Sequence, residues 1–365
     1  MKIAVLHFGR HGAGPVYSYE MAKALSSAGH NVLYYASSSV ENRFAVENAG
    51  FTCKLFETYH SKLTYLISIV CKRTINAVVN DIWKEEPDVV YCPMNDLWTP
   101  FIFRKIKNIT RVKTIHDVGV HEGNDSIFNR IWNKSQFEDA EKFVILSKGF
   151  KQNLIKKGID PAKIQVIPHA GFDYYIKAAN QRQSIVNGIP DNTLLFFGRI
   201  DKYKGLNVLL AAMENVLKVK PEIKLIIAGN GDITPYRTQI EKIKDNVVVK
   251  NGWIADEDVA SIVKLASVVI LPYTHATQSG VIPLAYAFSK PVIATNVGCL
   301  AEQIIDGETG YIIEGGNARA VSNAIIKMFD NPENIAKMGE KANKYVKENL
   351  TWGASAQLLV DFLSK

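Results

Sequence analysis

Residues 267–313 read SVVILPYTHATQSGVIPLAYAFSKPVIATNVGCLAEQIIDGETGYII, and this stretch decides the fold. Its apolar runs and glycine-bearing turns predict strand, helix, strand and a second helical turn, which together make a compact βαβα unit. The first turn, HATQSGV, places small and hydroxyl residues where a helix begins. Free backbone N–H groups and the helix dipole favour anions at such a start. The stretch therefore predicts a cradle for a phosphate or a sugar.

The same alternation of strands and helices extends over the rest of the chain. Before residue 172, buried strands such as KIAVLHF, DVVYCP and VKTIHD are separated by helical segments, one of which is expected to run from about 61 to 84. After residue 192 the pattern restarts with TLLFFGR and IKLIIAG. This order indicates parallel sheets with helices on both faces. We expect two Rossmann-like α/β domains that face each other across a cleft.

The domain boundaries follow from a change in composition. The polar, irregular segment 172–192 is expected to link a domain at 1–171 to a second domain at 193–345. The last segment is expected to be helical, with breaks at Gly339 and at 351–353. Residues 346–365 are expected to form a helix that packs back on the first domain.

Composition indicates a globular protein of ordinary polarity. Of the 365 residues 47% are hydrophobic and 22% are charged. No apolar run approaches the roughly 20 residues that span a bilayer, and the short apolar run at the N-terminus predicts a buried strand and not a signal peptide. Four scattered cysteines show no metal or redox spacing, so a reducing cytoplasm is expected. Most of the net charge of +7 lies in residues 1–175, where it indicates an anionic partner or a solvated basic surface.

Several residues of the first half fall at strand ends, where open α/β sheets bind ligands. The loop GRHGAGP after the first strand carries Gly12 and Gly14, which allow either close approach of a ligand or only the turn geometry. Its spacing differs from the dinucleotide motif GxGxxG, and no acid ends the second strand. His116 ends the strand VKTIHD, and we expect it either to contact a ligand or to be satisfied by neighbouring backbone.

Weaker candidates lie close to that strand end. Asp117, His121 and Glu122 follow in a glycine-containing loop and are expected to be local contacts. His169 ends IQVIPHA beside the expected linker.

In the second half, Arg199 and Lys204 flank a short loop after the strand TLLFF. Arginine binds phosphate with a fork of donors and lysine binds it as a point charge. Five residues apart, after Gly198 and before an amphipathic helix, they predict a diphosphate clamp, although surface cations on a loop remain the alternative. Gly229 ends the next strand in a turn that is expected to be structural.

On these motifs the chain resembles the GT-B glycosyltransferases, and specifically the retaining family 4. FGRIDKYKG, IIAGNGD, VKTIHD and the stretch at 267–313 are similar to family motifs. The likeness covers most of the chain, is specific over 194–312 and is looser before 115. It implies catalytic roles for His116, Arg199 and Lys204. The implied donor-binding residues are Gly12, Gly14, Gly198, Gly229, Thr277, Gln278, Ser279, Gly280, Val281 and Glu302.

One departure from the family concerns two glutamates that lie eight residues apart. Their positions fall on Thr277 and Ala285, neither of which is a carboxylate. Contacts to sugar and ribose cannot be carried over there. Neutral side chains at 277–279 and the amides of Gly280 and Val281 are expected to hold the sugar instead.

The resemblance implies transfer of a sugar from a nucleoside diphosphate sugar to an acceptor hydroxyl, with retained configuration. No metal and no cofactor are expected, because cations and helix-start amides would neutralise the leaving diphosphate. Lys62, Lys72 and Arg73, beside apolar residues of one helix, are expected to lie on the acceptor or membrane side. The expected acceptor is a glycan or a lipid-linked glycan at the inner face of the plasma membrane. Packing of this helix on its own sheet is the alternative.

Two other functions stay open at this point. A GT-B sugar-nucleotide epimerase would need carboxylates that we do not find as a clear set. A catalytically inactive sugar-nucleotide-binding subunit is compatible with the absent glutamate pair. No aromatic and basic nucleic-acid motif is present, so no nucleic-acid partner is expected.

Overall fold

A computed structural model describes residues 1–116, 137, 139–172, 174–176 and 192–365. Asp117, His121, Glu122 and most of the expected linker (173 and 177–191) lie outside the described residues. The described chain forms two compact units. The first comprises 1–116, 137, 139–168 and 352–365, and the second comprises 169–172, 174–176 and 192–351. None of the helices in these ranges has the length and apolar character that crossing a membrane requires.

The first unit is built on a seven-stranded parallel sheet in the order β3-β2-β1-β4-β5-β6-β7. Its central strands are buried except at Lys2, as expected for a parallel sheet that is covered on both faces. The strands are β1 Lys2–His7, β2 Asn31–Ser37, β3 Thr52–Phe56, β4 Val89–Cys92, β5 Thr110–Ile115, β6 Lys142–Ile145 and β7 Ile164–Val166.

The described helices of this unit lie between these strands and at the C-terminus. They are α1 Ala13–Ser27, α2 Arg43–Glu47, α3 Lys62–Cys71, α4 Arg73–Glu85, α5 Thr99–Phe103, α6 Lys151–Lys156 and the C-terminal Trp352–Leu363. The expected single helix at 61–84 is wrong in one respect, because it is broken at Lys72. This residue adopts the left-handed conformation (φ 52°), which ends α3 and lets α4 start in a new direction.

The second unit is built on a six-stranded parallel sheet in the order β10-β9-β8-β11-β12-β13. Its strands are β8 Thr193–Phe197, β9 Lys224–Gly229, β10 Val247–Asn251, β11 Val268–Leu271, β12 Val292–Thr295 and β13 Gly310–Ile313. Its helices are α7 Leu206–Val219, α8 Arg237–Lys242, α9 Asp256–Leu265, α10 Val281–Ala287, α11 Ala318–Phe329 and α12 Pro332–Asn349. The expected fold class, two Rossmann-like α/β domains, is confirmed.

The C-terminal segment differs from the expectation at two places. Helix α12 runs through Gly339 without a break, and the glycine is needed there because a Cβ would lie 2.1 Å from the Ser289 carbonyl oxygen. The chain turns only after Asn349, and a further helix, α13, begins at Trp352. In the first unit α13 packs against α1, with the Trp352 and Tyr17 rings 5.0 Å apart.

Strand order reverses once in each sheet, beside β1 and β4 in the first unit and beside β8 and β11 in the second. At such a switch point the loops from adjacent strands leave in opposite directions and open a crevice at the carboxyl ends. Each unit therefore has one topologically favoured place for a ligand.

Candidate active site

At the switch point of the first unit, consecutive carbonyl groups after β4 hold two histidines. His7, the last residue of β1, donates from Nδ1 to the Met94 oxygen at 3.0 Å. His116, directly after β5, donates from Nε2 to the Pro93 oxygen at 2.8 Å, and its ring meets the edge of Tyr17 at 5.1 Å. The carbonyl contacts fix the proton on one nitrogen of each ring and orient both side chains.

His7 is buried and lies under the loop between β1 and α1. A Cβ on Gly9 would lie 2.5 Å from His7 Nε2, and one on Gly14 would lie 2.9 Å from it. Both glycines are therefore required by the imidazole beneath them. Because Nδ1 carries the proton, Nε2 of neutral His7 is an acceptor, and this buried atom has no hydrogen-bond partner in the described structure. Burial lowers the pKa of His7, while the nearby Asp96 carboxylate acts in the opposite direction.

Asp96 organises the loop after β4. Its carboxylate accepts hydrogen bonds from the amides of Phe8, Trp98 and Thr99 at 3.1, 2.8 and 2.9 Å, and from the Thr99 hydroxyl at 2.8 Å. These bonds tie the end of β1 to the loop that holds both histidines. The buried carboxylate is thus fully engaged and positions its neighbours.

The glycine loop itself is anchored on the side of β2. Gly12 has a positive φ of 80°, and its amide donates to Glu41 Oε2 at 3.2 Å. Gly14 lies in the first turn of α1. The loop thus reaches the strand ends as expected, but the Gly12 amide is already used within the protein.

In the second unit the loop after β8 carries the two expected cations. Arg199 is exposed, with Nε 3.5 Å from Asp201 Oδ2. Lys204 places its Nζ 3.9 Å from the centroid of the Tyr273 ring and 5.2 Å from that of Tyr203. A cation is attracted to the face of an aromatic ring, so these two rings orient the lysine side chain.

Glycines let the loops of this unit come together. A Cβ on Gly229 would lie 1.9 Å from the Gly198 oxygen, and one on Gly205 would lie 1.9 Å from the Pro272 oxygen. The Thr274 amide donates to the Tyr203 oxygen at 2.8 Å and joins the loops after β8 and β11. Backbone of three strand ends is therefore in direct contact around Arg199 and Lys204.

The turn at residues 277–281 lies between β11 and α10. Gln303 brackets it: its Oε1 accepts from the Ser279 amide at 2.9 Å and its Nε2 donates to the Ser279 oxygen at 3.1 Å. The Val281 amide donates to Ser279 Oγ at 3.3 Å, so this helix-start amide, expected to hold a sugar, is used by the protein. Tyr273 links the turn to Lys204, because its hydroxyl lies 3.4 Å from Ser279 Oγ beneath the lysine.

The two positions at which the family carries glutamates are both buried here. Ala285 is 1% exposed inside α10, and Thr277 is largely buried. Gln278 carries a buried Oε1 that has no hydrogen-bond partner among the described residues. Glu302 is exposed in the short turn at Leu300–Gln303. Oε1 of Gln278 is thus a buried acceptor in this turn to which a ligand could donate.

His169 lies against this turn in the same unit. Its Nδ1 donates to the Ala170 oxygen at 2.8 Å, and a Cβ on Gly280 would lie 3.3 Å from its Nε2. The fold therefore brings His169, a weaker candidate in the sequence, to the turn at residues 277–281.

Sequence reasoning missed four residues of these arrangements: His7, Asp96, Tyr273 and Gln303. A position at the end of a strand pointed to His116, and the same signal was available for His7 and Asp96. His7 was overlooked because it belongs to an aliphatic strand, and Asp96 because it lies in the loop that follows its strand. Tyr273 and Gln303 belong to the stretch at 267–313, yet their roles depend on contacts across the turn.

Two family models together match most of the chain. A model described as Glycosyltransferase Family 4 matches residues 14–170, and one described as Glycosyl transferases group 1 matches residues 191–331. Both matches include strand ends that carry the candidate residues.

Individual relatives are also named glycosyltransferases. The chain is 25% identical over 287 residues to the D-inositol 3-phosphate glycosyltransferase of Corynebacterium kroppenstedtii, a match that covers 72% of this chain but only 63% of that protein's own length. It is 24% identical to the protein of the same name from Pseudarthrobacter chlorophenolicus, with 97% of this chain and 90% of the relative covered.

A solved structure supports the fold. HepE of Anabaena, in complex with UDP and glucose, superposes with a TM-score of 0.76 at 19% identity, covering 100% of this chain and 99% of HepE. With both family models matched and the two Rossmann-like units in place, the chain belongs to glycosyltransferase family 4 and has the GT-B fold.

Proposed function

We propose that the protein transfers a sugar from a nucleoside diphosphate sugar to an acceptor hydroxyl, with retention of configuration. The observation that carries the proposal is the joined arrangement of Lys204, Tyr273 and the turn at 277–281 in the second unit. A cation at a β8 strand end and a hydroxyl-rich turn beside it suit a diphosphate and the sugar attached to it. The UDP bound in the HepE structure supports a nucleotide donor.

In this proposal Arg199 and Lys204 stabilise the charge that develops on the leaving diphosphate, without a metal ion. His116, held by the Pro93 carbonyl, contacts the donor sugar. Gln278, Ser279 and the Gly280 amide replace the carboxylates of the family with neutral contacts. The acceptor is a glycan or a lipid-linked glycan of surface polysaccharide or glycolipid assembly, bound on the side of the first unit.

The test is a panel of UDP-, GDP- and ADP-sugars, with thermal shift for binding and released nucleotide for turnover. Stabilisation by one donor class and slow release of its nucleotide, unchanged by a chelator, is expected. NMR of the product then reports the anomeric configuration. Binding without any turnover would favour the inactive subunit, and conversion of the sugar without transfer would favour the epimerase.

A variant pair tests the two cations. Lys204→Ala and Arg199→Ala are each expected to lower nucleotide release about 100-fold, since loss of a group that stabilises developing charge costs factors of this size. Lys202→Ala is the matched control, because Lys202 is an exposed lysine of the same loop. Near-normal turnover in Lys204→Ala would refute the role of the lysine.

A further inference from the structure

Helix α3 of the first unit presents a stripe of large apolar side chains to solvent. Leu63, Leu66, Ile67 and Val70 are 67%, 58%, 50% and 78% exposed. Their spacing places them on one face of the helix. Other exposed large apolar residues of the described chain are spread over separate elements. Four together on a ten-residue helix are a patch of the kind that marks an interaction surface.

The opposite face of α3 holds the helix in place. Ser68 Oγ accepts a hydrogen bond from Nε1 of the buried Trp98 at 3.1 Å, and the Tyr65 ring meets Tyr59 at 5.0 Å. A reciprocal cap between Ser61 and Thr64 starts the helix. The apolar stripe is therefore preformed and points away from the unit.

Cations surround the C-terminal end of the stripe. Lys72 and Arg73 are exposed, and Lys105 lies beside the first turns of the following helix α4, where its Nζ donates to Asn76 Oδ1 at 2.9 Å. The sequence from 58 to 80 contains no aspartate or glutamate. A rigid apolar stripe with exposed cations at its C-terminal end complements an anionic lipid surface.

The segment before α3 also contacts the loop after β1. Arg10, in the glycine loop after β1, contacts His60 directly before α3, with Nη1 to Nδ1 at 3.2 Å. A surface that binds α3 would thus lie close to the carboxyl end of β1. A self-association through the stripe is less well supported, because four side chains fall far short of the roughly 20–30 residues per partner of a stable interface.

We propose that α3 is an interfacial membrane anchor, which inserts Leu63, Leu66, Ile67 and Val70 between lipid headgroups while Lys72, Arg73 and Lys105 bind anionic lipid. This inference rests on the proposed function and adds to it the way in which the first unit reaches a lipid-linked acceptor. Vesicle binding can be measured without any sugar donor, so its failure is distinguishable from a failure of sugar transfer.

The experiment is flotation of the full chain with vesicles of phosphatidylcholine alone or of equal parts phosphatidylcholine and phosphatidylglycerol. Wild type is expected to bind only the anionic vesicles, and less as salt is raised. Combined Leu63→Ser, Leu66→Ser, Ile67→Ser and Val70→Ser is expected to lower binding at least about 100-fold. Lys72→Gln with Arg73→Gln is expected to lower it about 25-fold, since each cation contributes about fivefold.

The matched control is Val219→Ser with Val248→Ser, two exposed valines of the second unit, which should bind as wild type does. A fluorophore on the exposed Cys71 should shift to the blue on anionic vesicles. Circular dichroism verifies that each variant is folded. The proposal is overturned by equal binding of the wild type and the serine variant, by equal binding to both vesicle types, or by a dimer that the serine substitutions dissociate.

Discussion

At the scale of single residues, the buried His7 explains why two glycines stand in the loop above it. Gly9 and Gly14 leave no room for a Cβ beside His7 Nε2, so the loop and the imidazole form one packed arrangement. The sequence shows glycines and a histidine but not that one requires the others. Asp96 is a similar case: three of its four accepted hydrogen bonds come from Trp98 and Thr99, close by in the chain, but the fourth comes from the Phe8 amide, which only the fold brings there.

His7 should make stability depend on pH. Burial lowers its pKa below the usual 6.5, so the unfolded chain takes up a proton first as the pH falls. The free energy of unfolding is therefore expected to decrease from about pH 6.5 downward, until the folded-state pKa is reached. His7→Asn, whose amide can still donate to Met94, should reduce this decrease. Denaturant unfolding across pH measures it, with the exposed His275→Asn as control. An unchanged pH dependence in His7→Asn would contradict the expectation.

At the scale of elements, periodicity predicted strands and helices well but missed their breaks. The pattern of 61–84 favours one helix, and the left-handed Lys72 that divides it has no local signal comparable to glycine or proline. Gly339 is the opposite case. It suggested a break in the helix, but the helix is continuous and a glycine is needed only because Ser289 approaches it closely. Contacts between elements decide both cases.

The contact between the loops after β8 and β11 can be tested at Gly205. Its φ is 71° and a Cβ would collide with the Pro272 oxygen. Gly205→Ala is expected to cost about 2–5 kcal/mol of unfolding free energy, the sum of a left-handed alanine and overpacking. It should also weaken donor binding, since Lys204 precedes this glycine. Gly307→Ala is the matched control, because φ is 75° but nothing lies within 4 Å, and it should cost about 1–2 kcal/mol. Equal losses in the two variants would show that the loop contact carries no extra stability.

At the scale of the whole molecule, the chain forms two units and its last helix belongs to the first of them. Leu359 in α13 is fully buried, while the neighbouring Leu358 is 37% exposed. Lys142 of β6 donates to the Phe362 oxygen at 2.9 Å and adds a polar tie. The C-terminal residues therefore complete the core of the unit that contains the N-terminus.

Leu359→Ala should destabilise the first unit selectively. Truncation of a buried leucine costs about 2–5 kcal/mol, and Leu359 is buried in a helix that belongs to the first unit. Because two units need not unfold in one step, hydrogen exchange read by mass spectrometry is the appropriate measurement. Amides of β1 and β4 should lose protection while those of β8 and β11 keep theirs. Leu358→Ala should change neither, and loss of protection in the second sheet would argue against separate units.

The sequence by itself determined the fold class, the family and the strand ends at which to look for a site, because buried parallel strands and glycine turns leave strong local patterns. Only the tertiary structure decided which side chains meet there: His7 beneath Gly9 and Gly14, Lys204 over Tyr273, and Gln303 around Ser279. It also decided that α3 turns its apolar stripe outward. The physical reason is that the positions of these side chains depend on contacts across the fold, such as His7 with Met94 and Lys204 with Tyr273, and no local periodicity encodes such contacts.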